Sequence, residues 1–225
     1  MLVQDWMSSD VKTIEANATL QDAINLMMEN DISIVPVMDG DKLVGIITDR
    51  DVKHASPSDA CLLDFQNIMY HVGRLQINSI MTPNPITVAP TLTLEEAAEI
   101  LMQNDISGLP VVDGNGVLQG IITKNDVFRA LIALSGLSRR GVLFAFRLQD
   151  EPGSIKKVTD VIRQHGGRLV SIVSSYETAP PGQRDVYVRA FNLERNDLSQ
   201  LVTELMQKAT LLYMVDHRED VRKFF

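Results

Sequence analysis

The chain has 225 residues, 45% hydrophobic and 22% charged, a balance that fits one or two soluble globular domains. Its 21 basic and 29 acidic residues leave a formal net charge of −8, which repels phosphate backbones and argues against a nucleic-acid partner, while a local basic patch could still hold a small anion. A single cysteine, Cys61, excludes an internal disulfide and a cysteine metal cluster. No apolar run approaches the roughly 18 residues of a membrane span, and residues 1–10 carry no basic leader, so a cytoplasmic protein without membrane contact is expected.

A first strand is expected at Lys12-Thr13-Ile14. Thr19 then reads as a helix N-cap, followed by Leu20, Ala23, Ile24, Met27 and Met28 at the spacing of an amphipathic helix that ends at Asn30-Asp31. A strand over 33–38, a turn at Asp39-Gly40-Asp41 and a buried apolar strand over 43–48 lead to a second helix from Asp49. Residues 57–78 read as a connector. It carries an amphipathic helical stretch, Leu62, Leu63, Phe65, Ile68, Met69 and Val72, suited to packing on the module or covering a partner surface.

Residues 79–136 then repeat residues 1–56. Residues 6–52 align with 80–127 at an offset of 74, which becomes 75 after Asp41 because Gly114-Asn115-Gly116 lengthens one turn. Roughly twenty paired positions are identical, far above chance. The strongest blocks are Asn30-Asp31-Ile32-Ser33 against Asn104-Asp105-Ile106-Ser107, and Gly45-Ile46-Ile47-Thr48 against Gly120-Ile121-Ile122-Thr123. Thr93-Leu94-Glu95-Glu96 is a capping box at the place of Thr19. Met7 and Met81 read as core fillers. A β-α-β-β-α unit of about 50 residues is too small to bury a comfortable core, so two copies are expected to pack face to face about a pseudo-twofold axis.

Beyond a hinge at 137–141 the repeat stops. A strand over 142–148, a turn at Asp150-Glu151-Pro152-Gly153, and a helix with Ile155, Val158, Val161 and Ile162 on its apolar face come next. Gly166-Gly167 stops that helix. Strands over 169–174 and 185–191, separated by a Pro/Gly loop, precede a helix over 197–208 and a last strand over 211–215. The order βαββαβ over 142–217 is ferredoxin-like, and 218–225 reads as a tail. The fold class expected for the whole chain is α+β.

The residues of the repeat resemble the CBS-domain family in its tandem-pair form. Gly45-Ile46-Ile47-Thr48-Asp49-Arg50-Asp51 and Gly120-Ile121-Ile122-Thr123-Lys124-Asn125-Asp126 match its G-h-h-T/S-x-x-D pattern, as do the blocks Ile34-Val35-Pro36-Val37 and Gly108-Leu109-Pro110-Val111. The C-terminal segment is similar to ACT domains, small modules that often bind amino acids, through Asp150-Glu151-Pro152-Gly153 and element order. The combination resembles the acetoin utilization protein family of bacteria, close to it at Thr48-Asp49-Arg50-Asp51-Val52-Lys53-His54-Ala55-Ser56-Pro57-Ser58. Domain order does not fix a ligand.

A hydroxyl such as that of Thr48 can donate to a phosphate oxygen, and a carboxylate such as that of Asp51 can accept from both hydroxyls of a ribose diol. The resemblance implies these roles for Thr48 and Asp51, and for Thr123 and Asp126. Val35 and Pro36, with Leu109 and Pro110 in the second copy, would back an adenine, and Thr13 and Thr87 would contact the base. Thr-x-x-Asp is equally a capping box that needs no ligand. Arg50, Lys53 and His54 near the first motif, and Lys124 and Arg129 near the second, would favour di- or triphosphates over AMP, or are simply solvated. Asp150, Glu151, Pro152 and Gly153 would form an amino-acid loop, or a turn capped by Asp150 or Ser154. His54, His71, His165 and His217 show no metal-ligand spacing, and no nucleophile elbow, P-loop or dinucleotide fingerprint occurs.

The expectation is a non-enzymatic sensor with no required cofactor and no metal. It would bind AMP, ADP or ATP in the CBS clefts and relay this through the hinge to the ACT-like domain, as a homodimer or to a regulated enzyme or transcription factor. The alternatives are an interaction subunit without nucleotide, or an amino-acid sensor acting through the ACT-like domain.

Overall fold

The computed structural model describes residues 1–55 and 74–225, so Cys61 and the amphipathic stretch over 62–72 lie outside the described residues. The chain divides into two compact units, Met1–Phe128 and Arg129–Phe225.

In the first unit the first copy comprises β1 (Ile14–Glu15), α1 (Leu20–Asn30), β2 (Ile34–Asp39), β3 (Lys42–Thr48) and α2 (Asp49–Ala55). The second comprises β4 (Thr82–Pro83), α3 (Leu94–Gln103), β5 (Gly108–Val112), β6 (Leu118–Thr123) and the start of α4 (Lys124–Ser135). Both expected N-caps form, and Thr19 as well as Thr93 closes a full capping box. The Thr19 backbone N–H donates to the Asp22 carboxylate at 2.9 Å and Thr19 Oγ1 accepts from the Asp22 N–H at 3.2 Å; Thr93 and Glu96 repeat this at 2.9 and 3.3 Å. Each box satisfies orphan donors of a helix start, worth about 1 kcal/mol.

The two copies complete each other. β4, which opens the second copy in the chain, pairs antiparallel with β3 of the first, Gly45 opposite Pro83 and Ile46 opposite Thr82. Its counterpart, Ser8, bridges Ile121 of β6. Short 3₁₀ turns just upstream insert one apolar residue each. Ile77 enters the core formed by Ile14, Ala23, Met27, Val35, Val37 and Ile47, while Val3, equally buried, donates its N–H to Leu92 O. Ile77 is thus part of the first copy's core, and residues 76–78, which bond through their backbone to Ala16, Ala18 and Thr19, belong to that copy and not to a connector. The close approach explains a glycine in each motif. A Cβ on Gly45 would lie 2.4 Å from Met81 Sδ, and one on Gly120 would lie 2.5 Å from Met7 Sδ.

The second unit contains β7 (Val142–Gln149), α5 (Ser154–Gln164), β8 (Arg168–Ser175), β9 (Gln183–Phe191), α6 (Leu198–Lys208), β10 (Thr210–Asp216) and β11 (Val221–Phe224). The sheet order is β11-β10-β7-β9-β8, antiparallel throughout, so the βαββαβ order folds in the ferredoxin-like arrangement. Alternation decides its faces. Val142, Phe144, Phe146 and Leu148 of β7 join Val186, Val188 and Ala190 of β9 beneath Val158, Val161 and Ile162 of α5 and Leu201 and Leu205 of α6. The segment 218–225 is not a tail. β11 extends the sheet beside β10, and Phe224 packs against Tyr213 at 5.9 Å between ring centroids.

The expected hinge at 137–141 is also anchored. Ser135 O accepts from Ser171 Oγ at 2.9 Å and Arg189 Nε at 2.7 Å, and Gly141 O accepts from the His217 N–H at 3.2 Å. The division of the chain falls earlier, inside α4. A Cβ on Gly141 would lie 2.1 Å from Ala190 O, a backbone atom that cannot step aside. Gly141→Ala is therefore expected to destabilise the C-terminal unit by about 2 kcal/mol in denaturant titration, while Gly114→Ala, with nothing within 4 Å, stays within about 0.5 kcal/mol of the parent.

An ion pair between half-buried Arg147 and buried Asp185 ties β7 to β9. Arg147 donates through Nε at 2.8 Å and Nη2 at 3.0 Å to Asp185, which is 2% exposed and also accepts from Thr178 Oγ1 at 2.8 Å. The Arg147 guanidinium, and secondarily the Thr178 hydroxyl, hold the Asp185 carboxyl below the usual carboxylate range despite burial. A folded-state value below the unfolded one contributes stability that is complete above about pH 4 and lost as pH falls through the lowered value. Asp185→Asn should cost about 2–3 kcal/mol at pH 7, read by hydrogen exchange of the β7 and β9 amides, and should flatten the acid limb of the stability curve.

Candidate functional site

A cleft of about 310 Å³ opens beside the first Thr-x-x-Asp motif. Thr48 and Asp51 line it, with Asp49 and Arg50 between them. β3 ends at Thr48 because the chain turns there into α2. The turn is closed by a capping box: the Thr48 N–H and Oγ1 both donate to Asp51 Oδ2 at 2.8 Å, and Thr48 Oγ1 faces the Asp51 N–H at 3.4 Å. All of these bonds use Oδ2, so Asp51 Oδ1 makes no hydrogen bond among the described residues and stands ready to accept from a ligand hydroxyl. The capping and ligand-binding readings of the motif are therefore compatible. The Asp49 carboxyl is held below its usual range by Lys53, whose Nζ lies 2.7 Å away. Lys53 and His54, expected near a phosphate, are not among the lining residues.

The apolar wall differs from the one expected. Val35 and Leu109 are fully buried in strand interiors, Val35 within the first copy's core, and Pro36 and Pro110 are buried without lining the cleft. Ile34 and Ile46, with Pro85 and Ile86 from the segment after β4, take that place. Thr13 and Thr87 are exposed and outside the cleft. Residues the motif reading missed are Thr82 and Asn84, and a group from the second copy, Asp105, Ile106, Ser107 and Gly108. A signal for the latter was present, since Asn104-Asp105-Ile106-Ser107 is among the most strongly repeated blocks.

The second motif repeats the geometry. The Thr123 N–H and Oγ1 donate to Asp126 Oδ2 at 2.7 and 2.6 Å. Asp126, however, is 5% exposed, while Asp51 is half-buried. The position corresponding to Ile86 is held by Lys12, which is paired with Asp10 at 3.0 Å. Lys124 does not line the first cleft; its Nζ lies 3.9 Å from Asp105. The two copies are also unlike at their meeting point, where Ile34 corresponds to Gly108 and a Cβ on Gly108 would lie 2.8 Å from Ile34 Cδ1.

In the C-terminal unit, α5 is capped by Gly153 at φ 84°, not by the side chain of Asp150 or Ser154. Asp150 faces Arg184 at 3.5 Å and accepts from the Tyr176 hydroxyl at 3.3 Å, and Arg184 Nη2 donates to Ser154 Oγ. These contacts brace the loop Asp150-Glu151-Pro152-Gly153 against β9. Among the described residues no cluster of His, Cys, Asp and Glu is poised to hold a metal, and no helix is long and apolar enough to cross a membrane.

Comparison with known proteins bears on the first unit. The family model described as CBS domain matches residues 3–58 and 77–133. The chain belongs to the CBS-domain family. A CBS domain-containing protein from Dictyostelium discoideum is 35% identical over 133 residues, which are 59% of this chain and 92% of the relative. An inosine-5′-monophosphate dehydrogenase from Korarchaeum cryptofilum is 38% identical over 125 residues, but these are 56% of this chain and only 23% of that enzyme. Among solved structures, the CBS domain pair of protein MJ0100, in complex with 5′-methylthioadenosine and S-adenosyl-L-methionine, is 30% identical with a TM-score of 0.50, covering 58% of this chain and 95% of that one. A protein described as an acetoin utilization protein (AcuB) from Vibrio cholerae is 32% identical with a TM-score of 0.51, covering 61% and 95%. The family model ends at residue 133, so the ferredoxin-like unit stands outside it.

Proposed function

We propose that the chain is a non-enzymatic regulatory sensor whose CBS pair binds an adenosine-containing ligand in the first cleft. The observation that carries this reading is the convergence, in one opening of about 310 Å³, of the Thr48–Asp51 pair with an apolar wall of Ile34, Ile46, Pro85 and Ile86. The carboxylate suits a ribose diol, the apolar wall suits a base, and Arg50 offers charge to an anionic group. The adenosine-containing ligands of the MJ0100 domain pair support the same ligand class. Binding can shift the protein between states only by its differential affinity for them. The relay to the ferredoxin-like unit, its ACT-like character and a role in acetoin metabolism belong to the same proposal. The Vibrio cholerae protein supports the last only through the 61% of this chain that it covers.

Calorimetric titration of AMP, ADP, ATP, NAD and S-adenosylmethionine into ligand-stripped protein tests the reading. At least one is expected to bind, and Asp51→Ala should weaken it about ten- to a hundredfold, for the loss of hydrogen bonds to a charged group. The variant also loses a helix cap worth about 1 kcal/mol, so its unfolding midpoint is measured alongside to show that it remains folded. No binding to the folded protein would reduce the motif to a cap.

A further observation favours self-association. Within the second unit α4 exposes Leu131, Ile132 and Leu134, each at least half exposed, an apolar stripe uncovered among the described residues. A homodimer through this stripe is expected in sedimentation at micromolar concentration, and Leu131→Glu should return it to monomer. A parent chain that is already monomeric would overturn the assignment.

A further inference from the structure

The charged groups around the first cleft bear on which adenosine-containing ligand it takes, granted the reading proposed above. Its charged lining among the described residues is Asp49, Arg50, Asp51 and Asp105, three carboxylates against one guanidinium. Lys53 neutralises Asp49 at 2.7 Å. Asp51 is the carboxylate that a ribose diol would occupy. Asp105 comes from the second copy, its side chain is 87% exposed, and the nearest cation, Lys124, stands at 3.9 Å, beyond hydrogen-bonding distance. Among the described residues Arg50 is therefore the one cation lining the cleft, and Asp105 is a carboxylate whose ion pair with Lys124 is long and solvent-exposed. Lys53, engaged by Asp49, and His54, outside the lining, do not supply the extra positive charge that a di- or triphosphate chain would need.

We infer that the first cleft takes an adenosine-containing ligand with a single phosphate or none, and that Asp105, supplied by the other copy of the repeat, sets this limit by repelling longer phosphate chains. Arg50 can compensate one phosphate group. Each further phosphate adds negative charge beside an exposed carboxylate, and like charges at such range repel in a way that salt screens. Asp105 adopts a left-handed backbone, φ 49°, which asparagine tolerates well, so Asp105→Asn removes the charge without disturbing the chain.

Adenosine, AMP and ATP are titrated calorimetrically, without divalent cations, into ligand-stripped full-length protein and into Asp105→Asn. Asp41→Asn, an exposed carboxylate outside the cleft, serves as control. AMP is expected to bind more tightly than ATP. Asp105→Asn should narrow that ratio about two- to fivefold, leave adenosine unchanged, and lose its effect at high salt, while Asp41→Asn leaves the ratio alone. ATP binding as tightly as AMP to the parent, an unchanged ratio in Asp105→Asn, or an equal change in Asp41→Asn would overturn the inference and leave the adenosine-binding reading standing. Failure of these three and of ADP, NAD and S-adenosylmethionine to bind the folded parent would overturn both.

Discussion

The antiparallel pairing of β4 with β3, mirrored by Ser8 on Ile121, is the contact on which the rest of the CBS pair depends. It joins the opening strand of one copy to the sheet of the other, and the turn just upstream places Ile77 in the first copy's core. The Met81 and Met7 side chains fill the space over Gly45 and Gly120, so a side chain at either glycine would displace them. Met81 packs against the first copy's core, as expected of a core filler, while lying over Gly45. Because the segment just after β4 supplies Pro85 and Ile86, the same pairing also builds one wall of the cleft.

Much of this architecture was legible before any coordinates. Capping boxes, apolar periodicity and turn residues are local signals, and a repeat prints each of them twice. In the C-terminal half, alternation in β7 and β9 and the face of α5 gave the element order in the same way. What escaped was set by contacts distant in sequence. Nothing in Gln76-Ile77-Asn78 announces that it packs into the copy before it. The block Ile34-Val35-Pro36-Val37 is apolar at every position, so no alternation tells its cleft face from its core face, and Val35 was placed on the wrong side. β11 was missed for the opposite reason: Val221-Arg222-Lys223-Phe224 is exposed throughout and owes its order to pairing with β10.

The Thr48–Asp51 pair shows why a motif can be read as a cap and as a binding site without contradiction. One carboxylate oxygen closes the start of α2, and the other remains available. A ligand hydroxyl on Oδ1 would leave the capping bonds to Oδ2 in place. The counterpart pair, Thr123–Asp126, begins α4, the helix that crosses from one compact unit into the other.

The inequality between Ile34 and Gly108 makes the two copies unlike at their contact. Ile34 fills the space that a side chain on residue 108 would enter, its Cδ1 lying 2.8 Å from the Cβ position, so bulk added in the second copy has to be matched by a shift of Ile34 in the first. A substitution at either position is therefore felt at the other, although the two lie 74 residues apart in the chain.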